Sequence, residues 1–273
     1  MPIANLPELN TLILEQKEEA LTIWFNRPEV KNALSTELTE ELLSVLQALA
    51  DDSSVRTVIL RGKGGAFCSG GDLKMFKTIF QGGVDRQEIV DFNASFGQLM
   101  KAVHALPQLF VVLIEGVAMA GGLGLSCIAD VVVTTKDARF SLTEVSIGLP
   151  PAQITPVVIK RIGASEARRL LLTAQHFNGI EAGRLGFAHH VVEDREALDA
   201  MAEKIIAQNR KCAPGAVDLT KQIINACDPL DSHYLQGDEL VTFAAERFAD
   251  AMLGDEAREG MKSFAEKRKP NWA

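Results

Sequence analysis

An α/β fold is predicted by three features of the chain: short, nearly unbroken apolar runs, helical periodicities between them, and glycine-rich turns that follow two of the runs. The chain has 273 residues, 47% of them hydrophobic, enough for one large core without disulfide or metal staples. The apolar runs are Leu21 to Phe25, Val55 to Leu60, Leu109 to Ile114 and Asp130 to Val133. They are rich in β-branched residues and too short for typical helices, and their near-continuous hydrophobicity suits a sheet covered on both faces. Between them, Leu38, Leu42, Leu43, Leu46 and Leu49 recur at helical spacing behind a Ser35 cap. Ile89, Phe92, Phe96, Leu99, Met100 and Val103 do so before Pro107 ends the run. Strands alternating with helices imply βαβ crossovers. Strand signals end near residue 194, and from Ala197 to Lys269 the pattern is helical, interrupted at Pro214, Pro229 and Gly254. The expected division is therefore a core over residues 1–196 and a helical region over 197–273, of the kind that serves oligomerisation or acts as a lid. No repeat of fixed period and no low-complexity segment is present.

Composition excludes several classes. A net charge of -8 without a clustered basic face argues against a nucleic-acid partner. No apolar run approaches the roughly 18 residues that span a bilayer, and Met1-Pro2-Ile3-Ala4-Asn5 lacks the pattern of a signal peptide. A soluble, cytoplasmic protein without a membrane partner is expected. Cys68, Cys127, Cys212 and Cys227 form no CxxC pair, which suggests reduced, structural thiols rather than zinc or redox chemistry. His189 and His190, beside an expected turn before Val191 and Val192, lack a third ligand at metal spacing, so no metal is expected.

The chemistry is concentrated in two glycine turns. Phe67-Cys68-Ser69-Gly70-Gly71-Asp72 and Gly116-Val117-Ala118-Met119-Ala120-Gly121-Gly122-Leu123-Gly124 each cap an apolar run. Glycine allows close approach of backbone to a ligand, and two N–H groups converging on one point make an oxyanion hole. The segment after Gly121 suits a short helix through Ala129, whose N-terminal dipole adds positive potential there. A Rossmann fingerprint is excluded because Cys127 stands where it needs glycine or alanine, and Gly62-Lys63-Gly64 lacks the parts of a P-loop. No Gly-x-Ser-x-Gly elbow occurs, so the useful part of Ser69 is its backbone N–H. Glu144, between Phe140-Ser141-Leu142-Thr143 and Ile147-Gly148-Leu149-Pro150-Pro151, is a candidate proton carrier, although a lone acid is by default solvated. Lys267-Arg268-Lys269 fits either a solvated helix end or a phosphate holder.

Together these residues resemble the crotonase superfamily, the enoyl-CoA hydratases and isomerases, over essentially the whole chain. The resemblance starts at Asn26-Arg27-Pro28 with Asn32-Ala33-Leu34, passes through both glycine turns to Asp130, and ends at Phe264-Ala265-Glu266-Lys267-Arg268-Lys269. Within the family the chain is most similar to hydratases of branched glutaconyl-CoA esters, those of isohexenylglutaconyl-CoA in acyclic terpene breakdown and of methylglutaconyl-CoA. Pro107-Gln108-Leu109, Pro151-Ala152-Gln153-Ile154 and the ending Lys267 to Ala273 carry that likeness. The resemblance implies a spiral of ββα repeats with a helical trimerisation region, assembled as a homotrimer or homohexamer. It implies oxyanion donors at the N–H groups of Ser69 and Gly121, with Glu144 as catalytic acid. It implies CoA contacts from Ala66, Cys68, Asp72 and Arg27, and from Phe264 and Lys267, the last two often in a neighbouring subunit. No cofactor is implied beyond the CoA that the substrate carries.

One departure concerns the reaction itself. Family hydratases of the best-known type hold one water between two glutamates; the second aligns with Glu144 and the first with Gly124, a residue that exchanges no protons. Gly124 is expected to leave space for another side chain, a water or the substrate's own distal carboxylate. Leu73, Met75, Phe76, Leu123, Ile147 and Gln153 are candidates to line the acyl pocket. Hydration of an α,β-unsaturated acyl-CoA is the leading expectation. Isomerisation, hydrolysis or decarboxylation on the same fold, and a non-catalytic acyl-CoA-binding subunit, are the alternatives.

Overall fold

The computed structural model describes residues 8–72, 85–228 and 233–272. Among them the strands are β1 (Leu12–Lys17), β2 (Ala20–Phe25), β3 (Thr57–Gly62), β4 (Leu109–Ile114), β5 (Val117–Met119), β6 (Val131–Thr135), β7 (Arg139–Ser141), β8 (Phe177–Asn178) and β9 (His190–Val192). The α-helices are α1 (Thr36–Ala50), α2 (Arg86–His104), α3 (Ala120–Ser126), α4 (Thr155–Thr173), α5 (Gly179–Arg184), α6 (Arg195–Asn209), α7 (Pro214–Ala226), α8 (Gly237–Leu253) and α9 (Asp255–Ala265). A large sheet has the order β1-β2-β3-β4-β6-β9 and a small one β5-β7-β8. β1 pairs antiparallel with β2, and every later neighbour in the large sheet is parallel.

From β4 onward successive strand pairs place one strand in each sheet: β4 large and β5 small, β6 large and β7 small, β8 small and β9 large. Each pass adds a strand to both sheets with helices behind, which winds the chain into a spiral of ββα turns. The four expected strands are β2, β3, β4 and β6. β5, β7, β8 and β9 are two or three residues long, too short to give a periodic signal, and β9 occupies the place where a turn was expected.

The large sheet is covered on both faces. Leu60, Phe110, Val112, Ile114 and Val132 face a core shared with Leu38, Leu42 and Leu46 of α1 and Leu99 and Val103 of α2. Their strand neighbours Ile59, Val111, Leu113 and Val133 face Leu198, Ala202, Ile205 and Ile206 of α6. Opposite packing of adjacent residues is why the runs are apolar at consecutive positions. The expected division between residues 196 and 197 therefore falls inside α6, a helix that belongs to the core because it seals the second face. α1 starts where Ser35 Oγ accepts Leu38 N–H at 3.2 Å, as the sequence predicts.

Pro214 opens α7 and Gly254 separates α8 from α9. The Arg56 guanidinium ties the chain end to the core by donating to the carbonyls of Trp272 and Cys212, and to that of Asn209 at 3.0 Å. Along α8 and α9 the apolar side chains Val241, Phe248, Leu253 and Phe264 are 67 to 83% exposed. No helix among the described residues is long and apolar enough to cross a membrane.

Candidate active site

The two glycine turns are brought together by backbone hydrogen bonds. Cys68 N–H donates to Val117 O at 3.0 Å and Met119 N–H to Cys68 O at 2.9 Å, so the first turn runs beside β5 as a short parallel bridge. A Cβ at Gly122 would stand 2.6 Å from Cys68 Cβ and Sγ, so only glycine lets α3 lie this close to the first turn. Cys68 is fully buried and desolvation pushes its thiol up to about 12; it is packing, not chemistry.

The amides of the first turn are mostly engaged. Phe67 and Cys68 donate to Val117 O, Gly70 to Cys68 Sγ and Asp72 to Leu34 O. Ser69 N–H donates to Lys31 O at 2.9 Å, and Ser69 Oγ to Val30 O at 3.0 Å. Ser69 is thus a pin to the turn at residues 27–31, and its N–H is not available to a ligand. Gly71 N–H makes no hydrogen bond to any described residue, and Gly71 lines the same cavity as Gly121. Gly121 is the second residue of α3, a position whose amide has no intrahelical acceptor. Ahead of it Ala120 has φ 48°, a left-handed conformation that costs an alanine of order 1 kcal/mol. The free pair of amides is Gly71 and Gly121, which replaces Ser69 in the expected pair.

The cavity between these turns, α2 and residues 143–154 has a volume of about 810 Å³. Leu34, Phe92, Phe96, Ile147 and Ile154 supply apolar walls, and Glu144 and Asp72 the carboxylates. Glu144 opens a 3-10 turn, Glu144–Ile147, closed by left-handed Gly148. Its Oε2 is buried without a hydrogen-bond partner among the described residues. Burial raises its carboxyl above the ordinary glutamate value, opposed only by a hydrogen bond from its own backbone amide. A partly desolvated acid that lines a cavity and has one oxygen without a partner is equipped to move a proton.

Gly124 does not leave space. A Cβ there would lie 2.1 Å from Ile154 Cγ2 and 2.4 Å from Ile154 Cβ, so the Ile154 side chain fills the position. Ile154 is 2% exposed, and neither a second acid nor a water has room beside Gly124.

The other expected contacts divide. Asp72 lines the cavity and pairs with Arg27, Oδ2 to Nη2 at 2.9 Å, while Arg27 Nη1 donates to Ala33 O at 2.6 Å. The guanidinium of Arg27 is thereby committed within the fold, outside the cavity lining. Ala66 and Cys68 are buried behind the turn, and Ala66 O accepts Asn32 Nδ2 at 2.7 Å. Phe264 and Lys267 lie at the end of the helical region and are not cavity-lining residues of this chain. Ile147 and Gln153 line the cavity, Leu123 is core, and Leu73, Met75 and Phe76 lie outside the described residues. The expectation missed Gly71, Phe96 and Asn93. No group of three His, Cys, Asp or Glu side chains placed to hold a metal occurs among the described residues.

A two-sheet spiral that lines one cavity with two glycines whose amides are unbonded and with one desolvated acid is an α/β architecture suited to carbonyl chemistry. Residues 15–273 match the Enoyl-CoA hydratase/isomerase family, and the chain belongs to it. The short-chain-enoyl-CoA hydratase of Clostridium acetobutylicum is 30% identical over 96% of this chain and 97% of its own. Pseudomonas aeruginosa AtuE superposes with a TM-score of 0.91 at 44% identity, covering 97% of this chain and 100% of that one. An enoyl-CoA hydratase/isomerase from Marinobacter aquaeolei superposes at 0.90 with 37% identity, covering 96% and 98%. The fold is that of the crotonases, and the chain is an enoyl-CoA hydratase-type enzyme acting on acyl-CoA.

Two outcomes follow from this geometry. Gly124→Ala should cost about 1–3 kcal/mol by overpacking, and in a cycle with Ile154→Ala the double variant should lose less than the sum of the singles in urea unfolding. Strict additivity would mean that Ile154 does not occupy the glycine's place. Glu144 also titrates into stability: its folded value is raised, so its contribution is fully favourable below the unfolded value and is lost as pH rises through the folded one. Glu144→Gln should therefore melt higher than the parent protein at about pH 8, and that advantage should shrink on acidification toward about pH 4. An advantage that grows on acidification contradicts a raised value.

Proposed function

We propose that the chain adds water across the α,β double bond of a branched enoyl-CoA of the glutaconyl type, such as isohexenylglutaconyl-CoA or methylglutaconyl-CoA. In this reading the thioester oxygen accepts hydrogen bonds from the Gly71 and Gly121 amides. Water attacks the β-carbon, the π electrons move toward the thioester, and the resulting enolate oxygen is met by dipoles already fixed in place. Glu144, ionised, takes the proton from the attacking water and then returns it to the α-carbon. The hydroxyl at the β-carbon and the proton at the α-carbon account for one water, and the carboxylate is restored. One acid suffices because the proton it receives is the proton it delivers.

The observation that carries this reading is the convergence on one cavity of two unbonded glycine amides and a buried carboxylate oxygen without a partner. The likeness to short-chain-enoyl-CoA hydratase supports the reaction class. The glutaconyl-type acyl chain rests on the sequence resemblance of residues 151–154 and the chain end. The single carboxylate equally meets the needs of a double-bond isomerisation, in which one acid carries a proton from the γ- to the α-carbon. Product mass separates the two, since hydration adds one water and isomerisation leaves the mass unchanged.

Glu144→Gln should lower kcat for hydration of methylglutaconyl-CoA by about 10²- to 10⁴-fold. Gly71→Pro and Gly121→Pro, which delete the amide protons, should each lower it by about 10²- to 10³-fold, the second at a first-turn position where proline is tolerated. Ser69→Ala keeps the backbone and should leave kcat within about threefold. Undiminished turnover in Gly71→Pro would remove Gly71 from the hole.

The exposed apolar residues of α8 and α9 support a homotrimer, or a homohexamer built from two, with Phe264 and Lys267 reaching the CoA of a neighbouring subunit. Light scattering should give a mass that is a multiple of three chains, and Phe248→Asp with Leu253→Asp should lower it. A monomer at micromolar concentration would contradict the assembly.

A further inference from the structure

Gly97 lies in the interior of α2, where glycine costs about 1 kcal/mol relative to alanine. A Cβ at that position would stand 2.6 Å from Gln153 Oε1 and 3.2 Å from Gln153 Cδ. The missing side chain is thus the berth of the Gln153 carboxamide. Gln153 Nε2 in turn donates to Asn93 Oδ1 at 2.8 Å. Asn93 precedes Gly97 by one helical turn on the same face, and both Asn93 and Gln153 line the cavity. The bond joins the α2 wall to the segment that enters α4.

This bond uses one donor of Gln153 and one acceptor site of Asn93. Both N–H groups of Asn93 Nδ2, the second N–H of Gln153 Nε2 and the Gln153 Oε1 make no other hydrogen bond to described residues. Three N–H donors on two adjacent side chains are thus free at this spot. No lysine or arginine lines the cavity among the described residues, so an anionic chain end would be met there by neutral donors, of which this amide pair offers three adjacent N–H groups.

The position of the pair follows from its neighbours. A Cβ on Gly121 would meet Phe96 Cζ at 3.5 Å, and Gly124 is faced by Ile154. Asn93 lies one turn before Phe96, and Gln153 directly precedes Ile154. The pair is displaced from the residues touching α3 by about one turn, ~5 Å along α2, the length of a few carbon–carbon bonds.

We infer that Asn93 and Gln153, seated by Gly97, form the specificity-determining contact for a carboxylate at the distal end of the acyl chain. This rests on the acyl-CoA reading of the cavity. A carboxylate offers two oxygens that accept from both amides at once, and bonds to a charged acceptor are roughly twice as strong as neutral ones. An alkyl end of the same length would desolvate the same donors and leave them unpaired, which selects against it.

Glutaryl-CoA and valeryl-CoA, both saturated and unreactive, differ only in carrying a carboxylate or a methyl at the chain end. By calorimetry the full chain should bind glutaryl-CoA at least about tenfold tighter than valeryl-CoA. Gln153→Leu and Gly97→Ala should each reduce that ratio about tenfold or abolish it. Equal binding of both esters by the parent protein overturns the inference and leaves the acyl-CoA site standing. Retention of the full preference in Gln153→Leu also overturns it, and failure to bind either ester overturns both readings.

Discussion

The site depends on the short bridge between the first glycine turn and β5. Three hydrogen bonds, from Phe67 and Cys68 to Val117 O and from Met119 to Cys68 O, hold the two chain segments in register at 2.9 to 3.1 Å. Two amides can act on one oxygen only if the loops carrying them cannot drift, and a displacement of about 1 Å is enough to spoil catalytic geometry. The bridge removes that freedom. Around it the pins run outward: Ser69 to the turn at Val30 and Lys31, Leu34 N–H to Gly70 O, and Asp72 N–H to Leu34 O. The buried Asn32 then fastens this turn to the carbonyls of Lys63 and Ala66. Almost every amide near the site is engaged, and that is what makes the free ones at Gly71 and Gly121 significant.

Local unfavourable terms gather at the same place. Ala120 is held at φ 48°, and Glu144, which lines the same cavity, keeps an oxygen buried without a partner. Each would relax if the fold around it allowed. The large sheet, sealed by α1 and α2 on one face and α6 on the other, is the reservoir of stability that holds them. Features that cost stability and cluster in one cavity point to function rather than to accident of packing.

Much of this was legible in the chain. Central strands had to be apolar at consecutive positions because both faces are buried, so β2, β3, β4 and β6 stood out; Ser35 and the leucine spacing marked α1. The glycine turns and Glu144 could be singled out by residue type. What remained hidden was set by contacts between distant segments. Whether Ser69 or Gly71 offers a free amide depends on where Lys31 O lies, and no feature of Phe67 to Asp72 encodes that. Ile154 filling the place beside Gly124, and Gln153 that of a side chain at Gly97, are pairings across thirty to fifty-odd residues. The role of α6 was equally invisible, since a helix packed on a sheet has the same periodicity as one in an oligomerisation tail.

The exchange at Gly124 and Ile154 bears on mechanism as well as packing. An acid at position 124 would need the volume that Ile154 occupies, so the two positions can change only together. With an apolar group there, position 124 offers no carboxylate to compete with Glu144 for the water proton. A lone carboxylate can still complete an addition, provided that it acts first as base and then as acid on one face of the double bond. That sequence demands a carboxyl that is neither firmly ionised nor firmly neutral. Partial burial without a compensating partner shifts Glu144 in the required direction. Loss of one acid and desolvation of the other are thus two sides of a single arrangement.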